Sequence, residues 1–419
     1  MRSRPALSLI ALLLACGCAG NQETTPSPVA QPGTPSVGAP APAAQLGPAK
    51  VGLLVPLSGP GAALGEDLLD AAQLALFDVG RTDLELLPRD TGDQPQQAEA
   101  AARSALDAGA QLLIGPLYGR SAVAVAPAAA ARGVNVIAFS NDATVARPGL
   151  YVLGFRPEEQ IQRIVRYAAA QGRTRFAALA PEDGYGARAL TAWRSAIAQV
   201  PGATAAVAET YPPDSDSPTS AVERVAAFGR PGGLPATQPA TDGISLQPTP
   251  EPPLTLPPPG FDSVLIADGG PRVTSIAALL AYYDIGPAST PLLGTMRWQD
   301  DPALLADAGL QGAWLATWQP DAIAEFMRRF GDVYGRAPAP LAVLAYDATA
   351  LAVLLAGGQP RFGAAQLTDG QGFVGAAGIF RLRPDGLADH GLAVVEVEAG
   401  AERVLDPAPR TFDAGLASR

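Results

Sequence analysis

The stretch Lys50–Leu76 reads KVGLLVPLSGPGAALGEDLLDAAQLAL, and it decides the fold class. An apolar run, a glycine-rich corner and a helical pattern follow one another in it. This order predicts a buried strand that turns directly into a helix packed on the same sheet. The helix carries one apolar stripe that we expect to face the sheet, formed by Leu69, Ala72, Leu76 and Val79.

The same alternation of strands and helices continues and forms two successive units. In the first unit we predict strands at 51–56, 84–87, 111–114 and 134–139, separated by helices at 62–79, 96–108 and 121–132. In the second we predict strands at 175–180, 203–210, 263–267 and 292–294, with helices at 160–171, 187–200, 221–228 and 273–283. This alternation favours an α/β fold of two doubly wound parallel-sheet lobes. The cleft between them is the expected binding site.

Composition and charge exclude several classes of function. The 419 residues carry a formal net charge of −11, and Lys50 is the only lysine. A chain this acidic lacks the positive surface that nucleic-acid binding requires. Cys16 and Cys18 are the only cysteines, so the remainder of the chain has no disulfide framework.

The first 48 residues are typical of an export signal followed by a tether. Two arginines precede an apolar run that is too short to span a membrane, so residues 1–15 are predicted to be a signal peptide. The run LLAC at 13–16 resembles the lipobox of bacterial lipoproteins, in which the cysteine carries the lipid; Cys18 is the alternative. Residues 16–48, rich in proline and alanine, would then tether a globular body to a membrane.

Residues 230–260 interrupt the alternation with ten prolines and no periodicity. Proline removes backbone donors and blocks regular structure, so this segment cannot belong to the core. It is either a disordered surface insertion or a flexible segment that docks on a partner protein.

The glycine-rich corner invites comparison with phosphate-binding loops, but the residues that such loops need are absent. No Gly-Lys-Ser/Thr follows it, which excludes a P-loop NTPase, and no lysine follows Lys50 to serve a short-chain dehydrogenase. Asp90 ends the second predicted strand near the place of a ribose-binding acid in a dinucleotide fold. That acid alone gives the dinucleotide hypothesis little support.

No group of residues makes a positive case for catalysis, and we expect a protein that is not an enzyme and uses no cofactor or metal. His390 is the only histidine, and its polar surroundings indicate a solvated loop residue. With one histidine and no cysteine in the body, a zinc site or a Cys/His nucleophile has no ligands to draw on. The paired acids Glu182-Asp183 and Asp300-Asp301 could act as acid and base, although most such pairs are helix caps or solvated turns.

Six short motifs follow one another along the body. They are PLSGPGAALG (56–65), LIGPL (113–117), AFSNDAT (138–144), EDGYG (182–186), AYDA (345–348) and the closing run FVGAAGIFRLRPDGLADHGLAVVEVEAG (373–400). Their order and spacing resemble the leucine-binding-protein group of type I periplasmic binding proteins. The resemblance covers residues 49–405.

This resemblance implies two lobes that are joined by three hinge strands and close on a ligand. One lobe would comprise residues 49–155 and 319–372, the other residues 156–318 and 373–406, followed by a tail at 407–419. Helix N-termini at the cleft rim could meet an anionic group such as a carboxylate. The residues implied for the ligand cleft are Ser58, Gly59, Leu64, Tyr118, Gly119, Ser121, Ser140, Asp142, Thr144, Tyr185, Asp268 and Met296.

The residues that grip an amino acid in this group are only partly present. The threonine that binds the α-carboxylate survives as Thr144, but the serine position falls on Gly119. The position of the acid that pairs with the ammonium group falls on Met296. A buried ammonium without a partner costs on the order of several kcal/mol. Asp142 or Asp268 could replace the missing acid, so amino-acid binding is weakened but stays open.

Further features are AYYD at 281–284, LGT at 293–295, FRLRPDG at 380–386 and DPAPR at 406–410. They resemble the lipid-anchored penicillin-binding protein activators, a branch of the same fold that stimulates peptidoglycan synthases. Gly17 stands where inner-membrane lipoproteins typically carry aspartate, which favours the outer membrane. We therefore expect a lipid-anchored activator of peptidoglycan synthesis whose partner is a penicillin-binding protein. The alternative is the receptor of an ABC importer for branched-chain amino acids or a related small solute, whose partner is a permease.

Overall fold

The computed structural model describes residues 47–80, 83–213, 218–234, 256–299 and 301–412. The predicted signal peptide, the predicted tether up to residue 46, residues 235–255 of the proline-rich segment, Asp300 and residues 413–419 of the predicted tail lie outside these residues. Within them, one five-stranded, one seven-stranded and one three-stranded sheet are accompanied by helices. The predicted α/β fold with two parallel-sheet lobes is confirmed.

Lobe 1 is built on the five-stranded sheet. Its first elements are β1 (Ala49–Val55), α1 (Ala62–Val79), β2 (Leu84–Asp90), α2 (Pro95–Asp107), β3 (Leu112–Ile114), α3 (Gly119–Ala131), β4 (Asn135–Ala138) and β5 (Leu150–Val152). The strands are parallel in the order β2-β1-β3-β4-β5. Leu53 and Leu54 show why β1 is apolar throughout: both are fully buried, and they belong to different core clusters. Helices therefore cover both faces of this sheet.

The rest of the chain first builds lobe 2, then returns to lobe 1, and finally rejoins lobe 2. The elements are α4 (Pro157–Ala170), β6 (Arg175–Pro181), α5 (Gly184–Ala198), β7 (Thr204–Tyr211), α6 (Thr219–Ala227), β8 (Ser263–Ile266), α7 (Pro271–Tyr282), β9 (Leu292–Gly294), α8 (Pro302–Ala306), β10 (Trp314–Thr317), α9 (Pro320–Tyr334), α10 (Val343–Leu355), α11 (Ala364–Leu367), β11 (Phe373–Gly375), β12 (Gly378–Leu382), β13 (Ala388–His390), β14 (Ala393–Glu398) and β15 (Ala401–Asp406). The seven-stranded sheet of lobe 2 has the order β15-β14-β10-β9-β8-β6-β7, with β14 and β15 antiparallel at one edge.

The chain passes between the lobes three times: from β5 to α4, from β10 to α9, and from β13 to β14. Helices α9 and α10 complete lobe 1, because Phe326, Phe330 and Val343 are buried in the same core cluster as Leu53. Three crossing segments beside one another form the hinge geometry on which a two-lobe protein closes.

The end of the body differs from the expected boundary at residue 373. Strands β11, β12 and β13 form a separate antiparallel sheet, and only β14 and β15 join the sheet of lobe 2. Phe380 and Leu382 are buried in the core cluster of lobe 1. The small sheet therefore packs with lobe 1, and the last crossing comes after His390.

The bounds of the predicted strands and helices in both units agree with the structure to within three residues. The predicted buried stripe of α1, however, is only partly correct. Ala72 is buried as expected, but Val79 is 43% exposed and Leu69 and Leu76 are only partly buried. The helix packs against α10 as well as against the sheet, so its buried face is turned toward both neighbours. That face is formed by Leu68, Ala71, Ala72, Leu74 and Ala75.

Each lobe contains one helix that approaches the preceding strand so closely that only glycine fits. A Cβ atom on Gly65 of α1 would lie 1.7 Å from the carbonyl oxygen of Pro56. A Cβ atom on Gly186 of α5 would lie 2.0 Å from the carbonyl oxygen of Pro181. Contacts this short do not occur in folded proteins, so the backbone would have to move. The glycine-rich corner of the opening stretch therefore serves close packing of a helix on a strand.

We expect Gly65→Ala to lower the free energy of unfolding by about 1–3 kcal/mol, because the added methyl group pushes α1 away from Pro56. Urea unfolding followed by circular dichroism measures the change. Gly184→Ala is the matched control, since a Cβ atom there meets nothing within 4 Å. The control should be neutral or slightly stabilising. Equal stability of Gly65→Ala and the wild type would contradict the packing explanation.

Asp347 ties α10 to the turn between β11 and β12. It is only 4% exposed, and its carboxylate accepts hydrogen bonds from the N–H groups of Ala376 at 2.5 Å and Ala377 at 3.1 Å. Burial raises the pKa of Asp347 to about 7, although the two N–H groups and the charge of His390 act in the opposite direction. A buried acid with this pKa makes the stability of the protein depend on pH.

The raised pKa predicts that Asp347 destabilises the fold as the pH increases. Below the ordinary pKa of 3.8 the folded and unfolded states both hold the proton. Between about pH 4 and about pH 7 only the folded state keeps it, so the stability that the protonated group contributes is lost across this window. The difference in free energy of unfolding, wild type minus Asp347→Asn, should therefore decrease from about pH 4.5 to about pH 7.5. The control is Asp321→Asn, which changes an exposed acid. If the difference in free energy of unfolding between the wild type and Asp347→Asn stays constant over this pH range, the prediction is wrong.

Candidate ligand-binding site

A cavity of about 620 Å³ lies between the two lobes. Lobe 1 contributes residues from α1, from the start of α3 and from the loop after β4. Lobe 2 contributes residues from α4, from α5 and from the loop after β9. The volume falls within the range of about 300–1,000 Å³ that is typical of small-molecule sites.

The twelve residues predicted for the cleft divide into two groups. Seven line the cavity: Leu64, Tyr118, Gly119, Ser140, Asp142, Tyr185 and Met296. Five do not line it: Ser58, Gly59, Ser121, Thr144 and Asp268. For Ser58, Thr144 and Asp268, contacts within the protein explain why they stay out of the cavity.

Ser58 and Gly59 lie in the corner after β1, which is fastened to Asp90. The carboxylate of Asp90 accepts hydrogen bonds from the N–H groups of Leu57 and Gly92, each at 2.8 Å, and from the side chain of Ser58. Burial acts to raise the pKa of Asp90, but these hydrogen bonds outweigh it and hold the pKa below its ordinary value. Asp90 therefore binds the protein's own backbone, which accounts for it without a ribose.

Ser121 and Thr144 also lie near the cavity without lining it. Ser121 is fully buried in α3, and its hydroxyl has no hydrogen-bond partner among the described residues. Thr144 is turned toward Asp142: its N–H and hydroxyl groups donate to Asp142 Oδ1 at 3.0 and 2.7 Å. The threonine that the resemblance assigns to a ligand carboxylate is thus occupied by a carboxylate of the protein.

Asp268 is fully buried, and its hydrogen bonds are satisfied inside lobe 2. It accepts from the Tyr211 hydroxyl, from Arg272 Nε and from the N–H group of Gly269, all at 2.8 Å. Burial acts to raise the pKa of Asp268, but these hydrogen bonds outweigh it and keep the pKa below its ordinary value. Burial and the adjacent carboxylate together raise the pKa of Tyr211. Asp268 is therefore committed to the structure of lobe 2.

The wall of lobe 2 is held by two side-chain contacts. The Tyr185 hydroxyl lies 3.0 Å from Thr295 Oγ1, and the guanidinium carbon of Arg297 lies 4.5 Å from the centre of the Tyr185 ring. Burial raises the pKa of Tyr185, although the hydrogen bond with Thr295 and the charge of Arg297 lower it. Gln160 of α4 accepts a hydrogen bond at 2.9 Å from the N–H group of Met296, which fixes the loop after β9.

Aromatic residues occupy the segments that cross between the lobes. The rings of Phe155 and Trp318 meet edge to face at 5.4 Å, and both residues line the cavity. The ring of Phe155 also lies 4.6 Å from that of His390, whose Nδ1 is 2.9 Å from Glu159 Oε1. The His390 side chain is only 5% exposed. The expectation that His390 is a solvated loop residue is therefore wrong, because the residue belongs to β13 and packs at the last crossing.

Three of the four paired acids lie within the described residues, and each of these three has a structural partner; Asp300 lies outside them. Asp183 caps α5, since it accepts a hydrogen bond from the N–H group of Gly186 at 2.8 Å, and Asp301 caps α8. Glu182 accepts a hydrogen bond from the hydroxyl of Thr210 at 3.0 Å. Within the described residues, no group of three or more His, Cys, Asp and Glu could hold a metal ion. None of the helices in the described part of the chain is long and apolar enough to cross a membrane.

Sequence reasoning missed two arginines of lobe 2. Arg188 and Arg297 both line the cavity. Arg188 lies one helical turn after Tyr185 in α5, and Arg297 directly follows Met296. Spacing from two residues already predicted for the cleft could have indicated both of them.

Two parallel-sheet lobes, three crossing segments and a cavity lined from both sides define a two-lobe ligand-binding protein of the type I periplasmic-binding architecture. The sequence profile described as periplasmic binding protein matches residues 48–402. The chain belongs to the periplasmic binding protein family.

Solved structures of solute-binding proteins share this fold. A branched-chain amino acid ABC transporter periplasmic ligand-binding protein of Burkholderia xenovorans is 17% identical, with a TM-score of 0.68 over 88% of this chain and 98% of that chain. The branched-chain amino acid transporter substrate-binding protein LivJ of Streptococcus pneumoniae, in complex with isoleucine, is 15% identical, with a TM-score of 0.57 over 86% of this chain and 100% of that chain. A solute-binding protein of an ABC transporter from Rhodopseudomonas palustris, in complex with benzoate, is 18% identical, with a TM-score of 0.58 over 87% of this chain and 97% of that chain.

One relative was found by sequence similarity over a shorter region. An uncharacterized protein of Rickettsia prowazekii is 28% identical over 133 residues, which make up 32% of this chain and 35% of that protein. The match spans about a third of that relative's length.

Proposed function

We propose that the protein is the substrate-binding receptor of an ABC importer and captures a small solute in the cleft between its lobes. The observation that carries this proposal is the cavity of about 620 Å³ to which both lobes contribute side chains. Structures of the same fold belong to transporter-associated solute-binding proteins, two of them in complex with isoleucine and benzoate. The partner would then be a permease.

The chemistry of the cavity suits a small solute with an apolar body. Its apolar walls are formed by Leu64, Leu117, Phe139, Phe155, Met296, Trp318 and Leu341. Ser140, Asp142 and Tyr118 add polar groups from lobe 1. Closure of the lobes would bury both the walls and the ligand, and each buried Å² of apolar surface contributes about 25 cal/mol.

A second candidate function is activation of a peptidoglycan synthase through contact with a penicillin-binding protein. The observation that favours it is the missing grip for an amino acid. Met296 stands where an ammonium-binding acid is expected, and Asp268 is fully buried and hydrogen-bonded by lobe 2. A protein that acts through its outer surface does not need that grip.

A thermal-shift assay with the purified full chain decides between the two functions. We expect at least one small solute from a panel of leucine, isoleucine and benzoate to raise the melting temperature by several degrees. Ligand at 100 times its Kd stabilises the folded state by about 2.7 kcal/mol. Tyr118→Ala, which removes a side chain from the cavity, should reduce the shift, and Tyr282→Ala on the outer face of α7 should leave it unchanged. No shift with any solute, together with co-purification of a penicillin-binding protein, would favour the activator.

We also propose that the protein is exported to the periplasm and anchored to the outer membrane by a lipid on Cys16. Cys16→Ser should then move the protein from the membrane fraction to the soluble periplasmic fraction, as measured by fractionation and immunoblotting. If Cys16→Ser stays in the membrane fraction and Cys18→Ser is released, the lipid is on Cys18. Release of neither variant would argue against a lipid anchor at these cysteines.

A further inference from the structure

The charged residues that line the cleft are divided between the lobes. Lobe 2 contributes Arg188 and Arg297, and lobe 1 contributes Asp142. Among the residues that the structure describes, no other Asp, Glu, Lys or Arg lines the cavity. The resemblance described above implies the opposite polarity, with hydrogen-bond donors for a carboxylate on lobe 1 and an acid on lobe 2.

The part of lobe 1 around Asp142 is unfavourable for an anion. Asp142 places a carboxylate at the rim, and it occupies both donor groups of Thr144. Gly119 stands at the position of the serine that would bind a carboxylate. A Cβ atom there would lie 3.1 Å from Ser140 Oγ and 3.2 Å from Asp142 Cβ, so a serine would crowd the acid. A ligand carboxylate beside Asp142 would not find the donors of Thr144 free and would meet a like charge.

Lobe 2 offers a guanidinium group whose hydrogen-bonding capacity is free. Arg297 makes no hydrogen bond within the described residues, and its closest acid oxygen, Asp268 Oδ1, lies 3.8 Å away. Asp268 is already bound by Arg272, which leaves the charge of Arg297 only weakly compensated. The guanidinium carbon of Arg297 also lies 4.5 Å from the centre of the Tyr185 ring. This cation–π contact gives the N–H groups of Arg297 no oxygen acceptor, so they can still donate to a ligand.

Arg188 adds a second positive charge to the same wall. Its only ion pair within the described residues joins its Nε to Glu158 Oε1 at 4.0 Å. The same Nε is buried and has no hydrogen-bond partner in the described part of the chain. A guanidinium group can pair with a carboxylate through two parallel hydrogen bonds. Arg188 is therefore placed to support Arg297 in binding a carboxylate.

The geometry points to a small carboxylic acid with an apolar body as the ligand, its carboxylate bound by Arg297 and supported by Arg188 of lobe 2. This inference rests on the proposed receptor function. The apolar part of the acid packs against Phe139, Phe155 and Trp318, which line the same cavity. An α-amino group is not required, because the carboxylate provides the charged contact.

Isothermal titration of the purified full chain with matched acids and amides tests this inference. The probes are benzoate with benzamide, and 4-methylpentanoate with 4-methylpentanamide; in each pair a neutral amide of similar shape replaces the carboxylate. We expect the acids to bind at least about tenfold more tightly than the amides, the size of one lost charge-assisted hydrogen bond. Arg297→Gln should remove this preference and Arg188→Gln should reduce it. Arg194→Gln, an exposed arginine on the same helix as Arg188, is the matched control and should bind like the wild type.

The outcomes separate the ligand class from the receptor function. Acids that bind Arg297→Gln as tightly as the wild type would overturn the assigned role of Arg297. Binding of the amides, or of leucine and isoleucine, without any contribution from Arg297 would overturn the ligand class and leave the receptor function standing. No binding of any probe, leucine and isoleucine included, would overturn the receptor function and the inference together. Unchanged melting temperatures of the unliganded variants show that each is folded.

Discussion

The electrostatics of the cleft depend on the ion pair between Asp268 and Arg272. Asp268 is fully buried, and a buried carboxylate is stable only when it is paired and hydrogen-bonded. Arg272, Tyr211 and Gly269 meet that need from within lobe 2. Because these partners satisfy the acid, Arg297 stays 3.8 Å from Asp268 Oδ1 without a hydrogen bond to it and still lines the cavity. One ion pair outside the cleft thus leaves a positive charge inside it.

The geometry of the rim depends on a different constraint, the contact between a glycine and a prolyl carbonyl group in each lobe. Gly65 seats α1 on Pro56, and Gly186 seats α5 on Pro181. Both helices begin next to the end of a strand and carry cleft residues, Leu64 in α1 and Tyr185 in α5. Close packing of backbone on backbone therefore helps to position side chains of both walls.

The architecture could be predicted from local sequence signals, because alternating strands and helices follow from apolar patterning and turn residues. The buried face of α1 could not, because α10 lies more than 250 residues later in the chain and turns that face toward itself. The environment of His390 also depends on distant partners, Phe155 and Glu159. Loop positions near the cleft were found by resemblance. The resemblance did not indicate which acid faces the cavity, because that depends on where Arg272 lies relative to Asp268.

The charge of the cleft also bears on the two candidate functions. Arg188 and Arg297 line a largely apolar cavity, and their side chains have no hydrogen bond with the described residues. Partial removal of water from a guanidinium group costs free energy. Hydrogen bonds to an acidic ligand would offset that cost. A protein that only docks on a partner through its outer surface gains nothing from this arrangement. A receptor gains selectivity, because the charged wall rewards an acid and penalises a neutral or cationic solute of the same shape. The absence of the amino-acid grip, which suggested an activator from the sequence, is then explained equally well by a receptor for a ligand that has no ammonium group.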